Sequence, residues 1–239
     1  MKVVVYTAIV GNIDRLWTVL PGSQTDDVQH IAFVDAPKFE VGLWGGKPPT
    51  ILKDSGGIGG HPVWEQRIVT ADWGTRRTAR HYKALPHRYL PDADVWIWVD
   101  GNVRARRRPA QIARKYSGDL VTFKHWDRRC LYVEAAFCAK IHKDDPGVLR
   151  RQAARYRKAG MPTNWGLAAT RVVIRRNTDA IRKLNEAWWA EMSAGSLRDQ
   201  VSLPYVCWKQ GIKWDVIPGK CVAGDSGEFL YVKHDRRVR

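Results

Sequence analysis

Three small groups of residues in this chain are suited to chemistry: two oxygen-bearing side chains flanking a glycine, a row of cations at helical spacing, and an acid-amide pair at a helix start. Asp100-Gly101-Asn102 ends the run Val95 to Val99, in which Val and Ile alternate with Trp96 and Trp98. Gly101 lets the backbone turn sharply, so the Asp100 carboxylate and the Asn102 amide oxygen can point the same way. Hard oxygen ligands at the carboxyl edge of a sheet suit a divalent cation, Mn or Mg, carrying a phosphorylated ligand. A plain Asp-Gly-Asn turn uses the same residues, and such turns are common.

Within TRRTARHYKAL, Arg76, Arg80 and Lys83 recur at i, i+4, i+7, which puts three cations on one helical face. They repel unless an anion lies between them, and a diphosphate is such an anion; an ordinary solvated face is the other reading. Ser196 reads as an N-cap, so Arg198, Asp199 and Gln200 sit at or near a helix N-terminus, where polar side chains can meet a substrate. Capping alone would also account for Asp199. His125, Trp126, Asp127, Arg128, Arg129, Tyr132 and Glu134 crowd opposite charges around a tryptophan, as a site wall does.

The elements that must position these groups follow from periodicity. Lys2 to Val10 is β-branched and apolar, His30 to Val34 is a second strand, and Val95 to Val99 is a central strand bulky on both faces. Tyr6, Thr7 and Ala8 near the first strand end and Asp35 at the second could hold a nucleoside, Tyr6 packing on the base and Asp35 accepting from ribose or base. Leu120 to Lys124, Arg171 to Arg175 and Trp214 to Ile217 read as further strands. Helices are predicted over Thr75 to Leu85, from Pro109, over Asp145 to Ala159, over Asn177 to Met192 and over Ser196 to Trp208. Lys38 to Gly60 is rich in Gly and Pro and reads as a lid or loop, since no Gly-Lys-Ser/Thr follows it. His234 could complete a metal shell with Asp100 and Asn102 if the tail folds back.

The chain of 239 residues is long enough for one sizeable α/β domain. Lys plus Arg number 40 against 24 Asp plus Glu, a net charge of +16 that calls for a polyanionic partner. The four cysteines lack zinc spacing and read as reduced thiols of a cytoplasmic protein, Cys130 and Cys138 pairing only if geometry allows. MKVVVYTAIVG reads as a first core strand rather than a signal peptide, and no run has membrane-spanning length.

The ordered set YTAIVGN, FVD, RRTARHYK, WIWVDGN, HWDRRCLYVEA, GLAATRVVIRRN and RDQVSLPYV resembles a family of GT-A glycosyltransferases that includes plant proteins of cell-wall mucilage and turgor control and microbial and viral members. It is also similar, more weakly, to glycogenin-like transferases. The resemblance implies a single GT-A-like domain over 1–239 with a mixed, mostly parallel sheet flanked by helices, residues 1–103 binding the nucleotide-sugar and residues 104–239 the acceptor. It implies a nucleoside-diphosphate sugar, with UDP the expected nucleotide. Tyr6, Thr7, Ala8 and Asp35 would touch the nucleoside, and Arg76, Arg80 and Lys83 the diphosphate or sugar. Asp100, Gly101 and Asn102 would occupy the place of the DxD metal motif, with His234 as the C-terminal metal-binding histidine. Asn102 drops one charge from that motif. Asp199 and Gln200 would lie beside the anomeric carbon. Retention is favoured, with Gln200 stabilising the cation; in an inverting reaction Asp199 or Glu134 would be the base.

The charge bears on the acceptor, since each neutralised phosphate adds affinity for DNA. A hydroxymethylated pyrimidine in viral DNA, the enzyme then acting in the host cytoplasm, is the expected acceptor. Its contacts would be Arg104, Arg106, His125, Trp126, Arg128, Arg129 and Trp165, the base flipped out onto Trp126 or Trp165. An acidic or cell-surface glycan is the competing acceptor. A non-catalytic nucleic-acid-binding protein on a degenerate transferase fold is the other class.

Overall fold

In the computed structural model of the chain, the described residues are 1–11, 14–19, 27–38, 40–42, 50–51, 63–220 and 227–232. The glycine run 56–60, Cys221, the expected metal ligand His234 and the basic tail 236–239 lie outside them. The strands are β1 (Val3–Ile9), β2 (Leu16–Trp17), β3 (Val28–Val34), β4 (Glu40–Gly42), β5 (Thr50–Ile51), β6 (Glu65–Ile68), β7 (Val95–Val99), β8 (Val103–Ala105), β9 (Leu120–Lys124), β10 (Ala168–Arg176), β11 (Asp215–Ile217) and β12 (Phe229–Tyr231). The helices are α1 (Thr75–Ala84), α2 (Pro86–Tyr89), α3 (Pro109–Lys115), α4 (Leu131–Lys140), α5 (Pro146–Lys158), α6 (Asp179–Ala194) and α7 (Asp199–Gln210).

A seven-stranded sheet runs in the order β11-β9-β10-β7-β1-β3-β6. β6, β3, β1 and β7 are parallel, β10 is antiparallel to both β7 and β9, and β11 is parallel to β9. This is the mixed, mostly parallel α/β sheet expected. Reversing β10 alone brings its first residues to the edge where β1, β3, β7 and β9 end.

β7 sits mid-sheet with all five residues buried. Period-two alternation sorts its side chains. Trp96 and Trp98, with Val4 and Tyr6 of β1, join the core formed with α1 and α4 to α7; Val95, Ile97 and Val99, with Val3 and Val5, join the one formed with α3 and β12. Covering on both sides explains why this strand carries no polar residue until Asp100.

Pro86, Pro109 and Pro146 open α2, α3 and α5, where a missing N–H costs nothing. Asp145 caps α5 by accepting the Val148 N–H at 2.6 Å, and Gly211 at φ 68° ends α7. Two expectations change. β10 starts at Ala168, because Ala168 and Ala169 pair with Lys124 and Phe123 despite their weak strand propensity. Ser196 is not the N-cap of α7, which starts at Asp199; its hydroxyl donates to Asp144 Oδ2 at 2.6 Å and accepts the Arg198 N–H at 3.1 Å.

Cys130, Cys138 and Cys207 are buried free thiols, so Cys130 and Cys138 do not pair. Among the described residues no helix is long and apolar enough to cross a membrane.

Candidate active site

At the edge where the strands end lies a cavity of about 390 Å³. β1 contributes Ala8, the turn after β7 contributes Asp100, Gly101 and Asn102, and the turn after β9 contributes His125, Trp126 and Arg128. Thr170 and Arg171 arrive from the reversed β10, Arg76 and Arg80 from α1, Glu134 from α4, and Asp199 and Gln200 from the first turn of α7. Both halves of the chain therefore wall one space.

The cationic face of α1 does turn to this site, and an anion does lie among its cations. It is the protein's own Asp199. Its Oδ2 accepts from Lys83 Nζ at 2.6 Å and Thr170 Oγ1 at 2.9 Å and lies 3.4 Å from Arg80 Nη1. Burial alone would raise this carboxyl's pKa; Arg80, Lys83 and Arg198 outweigh it and hold the group far below the carboxylate range. Lys83 is 0% exposed and does not line the cavity. Its ammonium also reaches Asp100 Oδ1 at 3.2 Å, so beneath the floor it ties the end of β7 to the start of α7. Burial lowers its pKa, and the two carboxylates oppose that. Arg76 extends to the cavity rim, where its guanidinium donates to the Lys143 carbonyl at 3.0 Å.

A second buried cation holds α1 from below. Arg175 of β10 donates to the carbonyls of Lys83 and Ala84 at 2.6 and 3.1 Å, and to Asn185 Oδ1 at 2.5 Å. These bonds satisfy carbonyls that a helix end leaves unpaired. Arg175 also donates to the Tyr6 hydroxyl, which itself donates to the Lys83 carbonyl.

Asp100 Oδ1 accepts the indole N–H of Trp98 at 2.8 Å. Asn102 is 2% exposed and faces the same cavity. A Cβ placed on Gly101 would lie 3.0 Å from Asp14 Cβ and 3.1 Å from its Oδ2, so the glycine makes room for a second carboxylate at the strand end. Asp14, Asp100 and Asn102 form an all-oxygen set. Magnesium-type sites use one or two carboxylates plus ligand phosphates, and these residues fit that pattern. Among the described residues no three His, Cys, Asp or Glu form a metal cage by themselves.

On the opposite wall, Glu134 is 1% exposed; its Oε2 accepts from Arg128 Nε at 2.5 Å and its Oε1 lies 3.2 Å from Cys138 Sγ. His125 Nδ1 accepts the backbone N–H groups of Asp127 and Arg128 at 3.2 and 3.0 Å, and Arg128 Nη2 lies 3.4 Å from Nε2, so both nitrogens of the neutral ring face donors. Burial lowers the imidazole pKa against the pull of Glu134, favouring that neutral ring. Trp126 stacks on His125 with centroids 4.3 Å apart and stays 39% exposed at the mouth. Arg171 lies between Trp126 and Tyr231, at 4.9 and 4.6 Å from the two rings.

Several expected contacts do not reach the cavity. Tyr6 is 0% exposed under α1 because β1 alternation turns it into the core with Val4, so its ring cannot pack on a base. Thr7, 2% exposed, faces away from the cavity. Asp35 closes a loop instead: it accepts the Gly11 N–H at 2.7 Å and pairs with Lys38 at 3.0 Å. Trp165 packs edge-on against Trp214, centroids 5.2 Å apart. Arg104 is buried and its pKa falls to about 10 through burial, while Arg106 and Arg129 are exposed away from the lining. Asp14, Thr170 and Arg171 line the cavity without having been singled out from the sequence, while Arg198, expected near a helix N-terminus with Asp199 and Gln200, lines it too.

The family model described as TOD1/MUCI70, glycosyltransferase-like domain, matches residues 1–217. A curated protein called probable hexosyltransferase MUCI70, from Arabidopsis thaliana, is 24% identical over 174 residues, covering 66% of this chain and 30% of that protein. The chain thus spans under a third of that relative's length.

Proposed function

This chain belongs to the TOD1/MUCI70 glycosyltransferase-like family, and we propose that it moves a sugar from a nucleoside-diphosphate sugar to an acceptor hydroxyl. The observation carrying this reading is the convergence of Arg76, Arg80 and Asp100 on one cavity, with Lys83 locking Asp100 to Asp199 beneath it. A nucleoside diphosphate leaves only when its developing charge is met. Arg76, Arg80 and the first-turn N–H groups of α7 would meet it, positioned before the reaction starts. Asp100, Asn102 and Asp14 would hold a divalent cation, Mn or Mg, whose chemistry is further neutralisation of the leaving diphosphate. UDP-sugars are the first donors to test.

Retention remains our stereochemical reading, and the state of the carboxylates supports it. An inverting base needs a free lone pair and a pKa near the working pH. Asp199 has Lys83, Thr170 and Arg80 on one oxygen and its own chain's Gln200 N–H on the other, at 3.1 Å. Glu134 is closed in by Arg128 and Cys138. Gln200, oriented by the Arg198 guanidinium at 3.2 Å, is the polar group left to face the anomeric centre.

The proposed acceptor is polyanionic, hydroxymethylated DNA standing first on the net charge of +16. A glycan is favoured by one observation: Arg104 and Trp165 do not line the cavity, and Trp126, stacked on His125 with Arg171 beside it, presents its exposed edge at the mouth, which suits a sugar ring. The test is a thermal-shift screen of sugar nucleotides with and without manganese, followed by transfer of labelled sugar to hydroxymethylated duplex DNA and to acidic glycans. A donor at a hundredfold its Kd adds about 2.7 kcal/mol of stability, and Asp100→Ala should abolish that gain. No shift with any sugar nucleotide, together with salt-sensitive DNA binding indifferent to Asp100→Ala, would leave a nucleic-acid-binding protein instead.

A further inference from the structure

α4 walls the cavity with one face and carries an unusual adjacent face. Glu134 and Cys138 point inward, whereas Val133, Phe137 and Ile141, at i, i+4 and i+8, are 53%, 38% and 43% exposed. Three large apolar side chains one turn apart form a stripe, with the Arg128 guanidinium 4.1 Å and Lys143 Nζ 6.0 Å from the Phe137 ring centroid. Beside it, two shallow clefts run between α4 and α5 and share Ala136 and Arg150. Their floors are mostly alanine, their rims carry Lys140, Arg150 and Arg157, and no carboxylate lines either.

A partner for this face must offer apolar matter to the stripe and negative charge to the rim. A nucleic acid satisfies the cations and leaves the stripe wet. An anionic phospholipid surface satisfies both, its acyl boundary taking half-buried aliphatic and aromatic side chains and its phosphates and carboxylates taking Lys and Arg. We propose that the outer face of α4 and α5 docks this protein on an anionic lipid surface. Because Glu134 follows Val133 directly, about 100° around the same helix, docking would hold the cavity beside the bilayer. This inference is independent of the acceptor and of catalysis itself.

The test is co-flotation of the full chain with vesicles of phosphatidylcholine alone and of equimolar phosphatidylserine and phosphatidylcholine. Binding is expected to the mixed vesicles only. The surface variant Val133→Ser/Ile141→Ser should bind at least about tenfold more weakly, and Lys140→Glu/Arg150→Glu similarly, at about fivefold per charge. Both pairs are exposed, so unchanged melting points are the control for folding. Equal binding to neutral vesicles, or mixed-vesicle binding untouched by Val133→Ser/Ile141→Ser, overturns the proposal. So does a concentration-dependent dimer that this variant abolishes, which would make the stripe a contact between two copies.

Discussion

Lys83→Met removes the ammonium that joins Asp100 to Asp199 and leaves the nearly buried Asp199 carboxylate and the part-exposed Asp100 carboxylate without the cation between them. Asp199 keeps Thr170 at 2.9 Å and Arg80 at 3.4 Å, and Asp100 keeps the Trp98 N–H at 2.8 Å. Removing one partner of a buried charge pair costs about 3–5 kcal/mol. At about 2–4 °C per kcal/mol for a chain of this size, the melting point should fall by roughly 6–20 °C. Asp199→Asn alone is costly for the mirror-image reason, since Lys83 keeps only the more distant carboxylate. The double variant Lys83→Met/Asp199→Asn should recover part of the loss, with a coupling of at least about 1 kcal/mol across the cycle. Thermal and urea melts of the four proteins read this directly. Additive single losses, or a Lys83→Met protein melting within about 1 °C of wild type, would refute the idea that this ammonium holds the floor together.

Other outcomes follow from the same geometry. Gly101→Ala puts a methyl 3.0 Å from Asp14 Cβ, so it should cost about 1 kcal/mol and shrink any manganese-dependent donor shift in a thermal melt. Arg175→Met removes the donor to the Ala84 carbonyl and Asn185 Oδ1, while the Lys83 carbonyl keeps the Tyr6 hydroxyl, and it should destabilise by about 1–3 kcal/mol in urea although Arg175 does not line the cavity. Burial lowers His30 from 6.5 to about 4. The unfolded chain therefore takes up a proton in that window and the folded chain does not, so stability present above about pH 6.5 is lost on acidification, by up to about 3 kcal/mol. His30→Phe should flatten that slope; parallel curves for the two proteins would remove His30 as its source.

What the sequence disclosed divides by range. Local periodicity located β7, β9 and α1, because each is fixed by its own alternation or spacing, but not the start of α7, where Ser196 bonds Asp144 instead of capping. It also turned Arg80 and Lys83 the same way. It could not say which anion they meet, since Asp199 is 116 residues further along the chain. Tyr6 was misread because a tyrosine at a strand end looks the same whether it faces a ligand or Arg175. Thr170 and Arg171 escaped notice because their role depends on β10 running backwards, which pairing decides and residue types do not. The exposed stripe on α4 reads in sequence as ordinary core, and only the packing shows Val133, Phe137 and Ile141 open to solvent, with Arg128 over the Phe137 ring.

The reversal of β10 has a practical corollary. With the chemistry gathered at one rim of the sheet, the opposite rim, where the Pro91 to Asp94 corner enters β7, carries none of it. Pro91 and Asp92 there are open to solvent. A cysteine placed at Asp92 would be an anchor for a fluorophore or a solid support, leaving the reactive rim facing outward from the surface that holds the molecule.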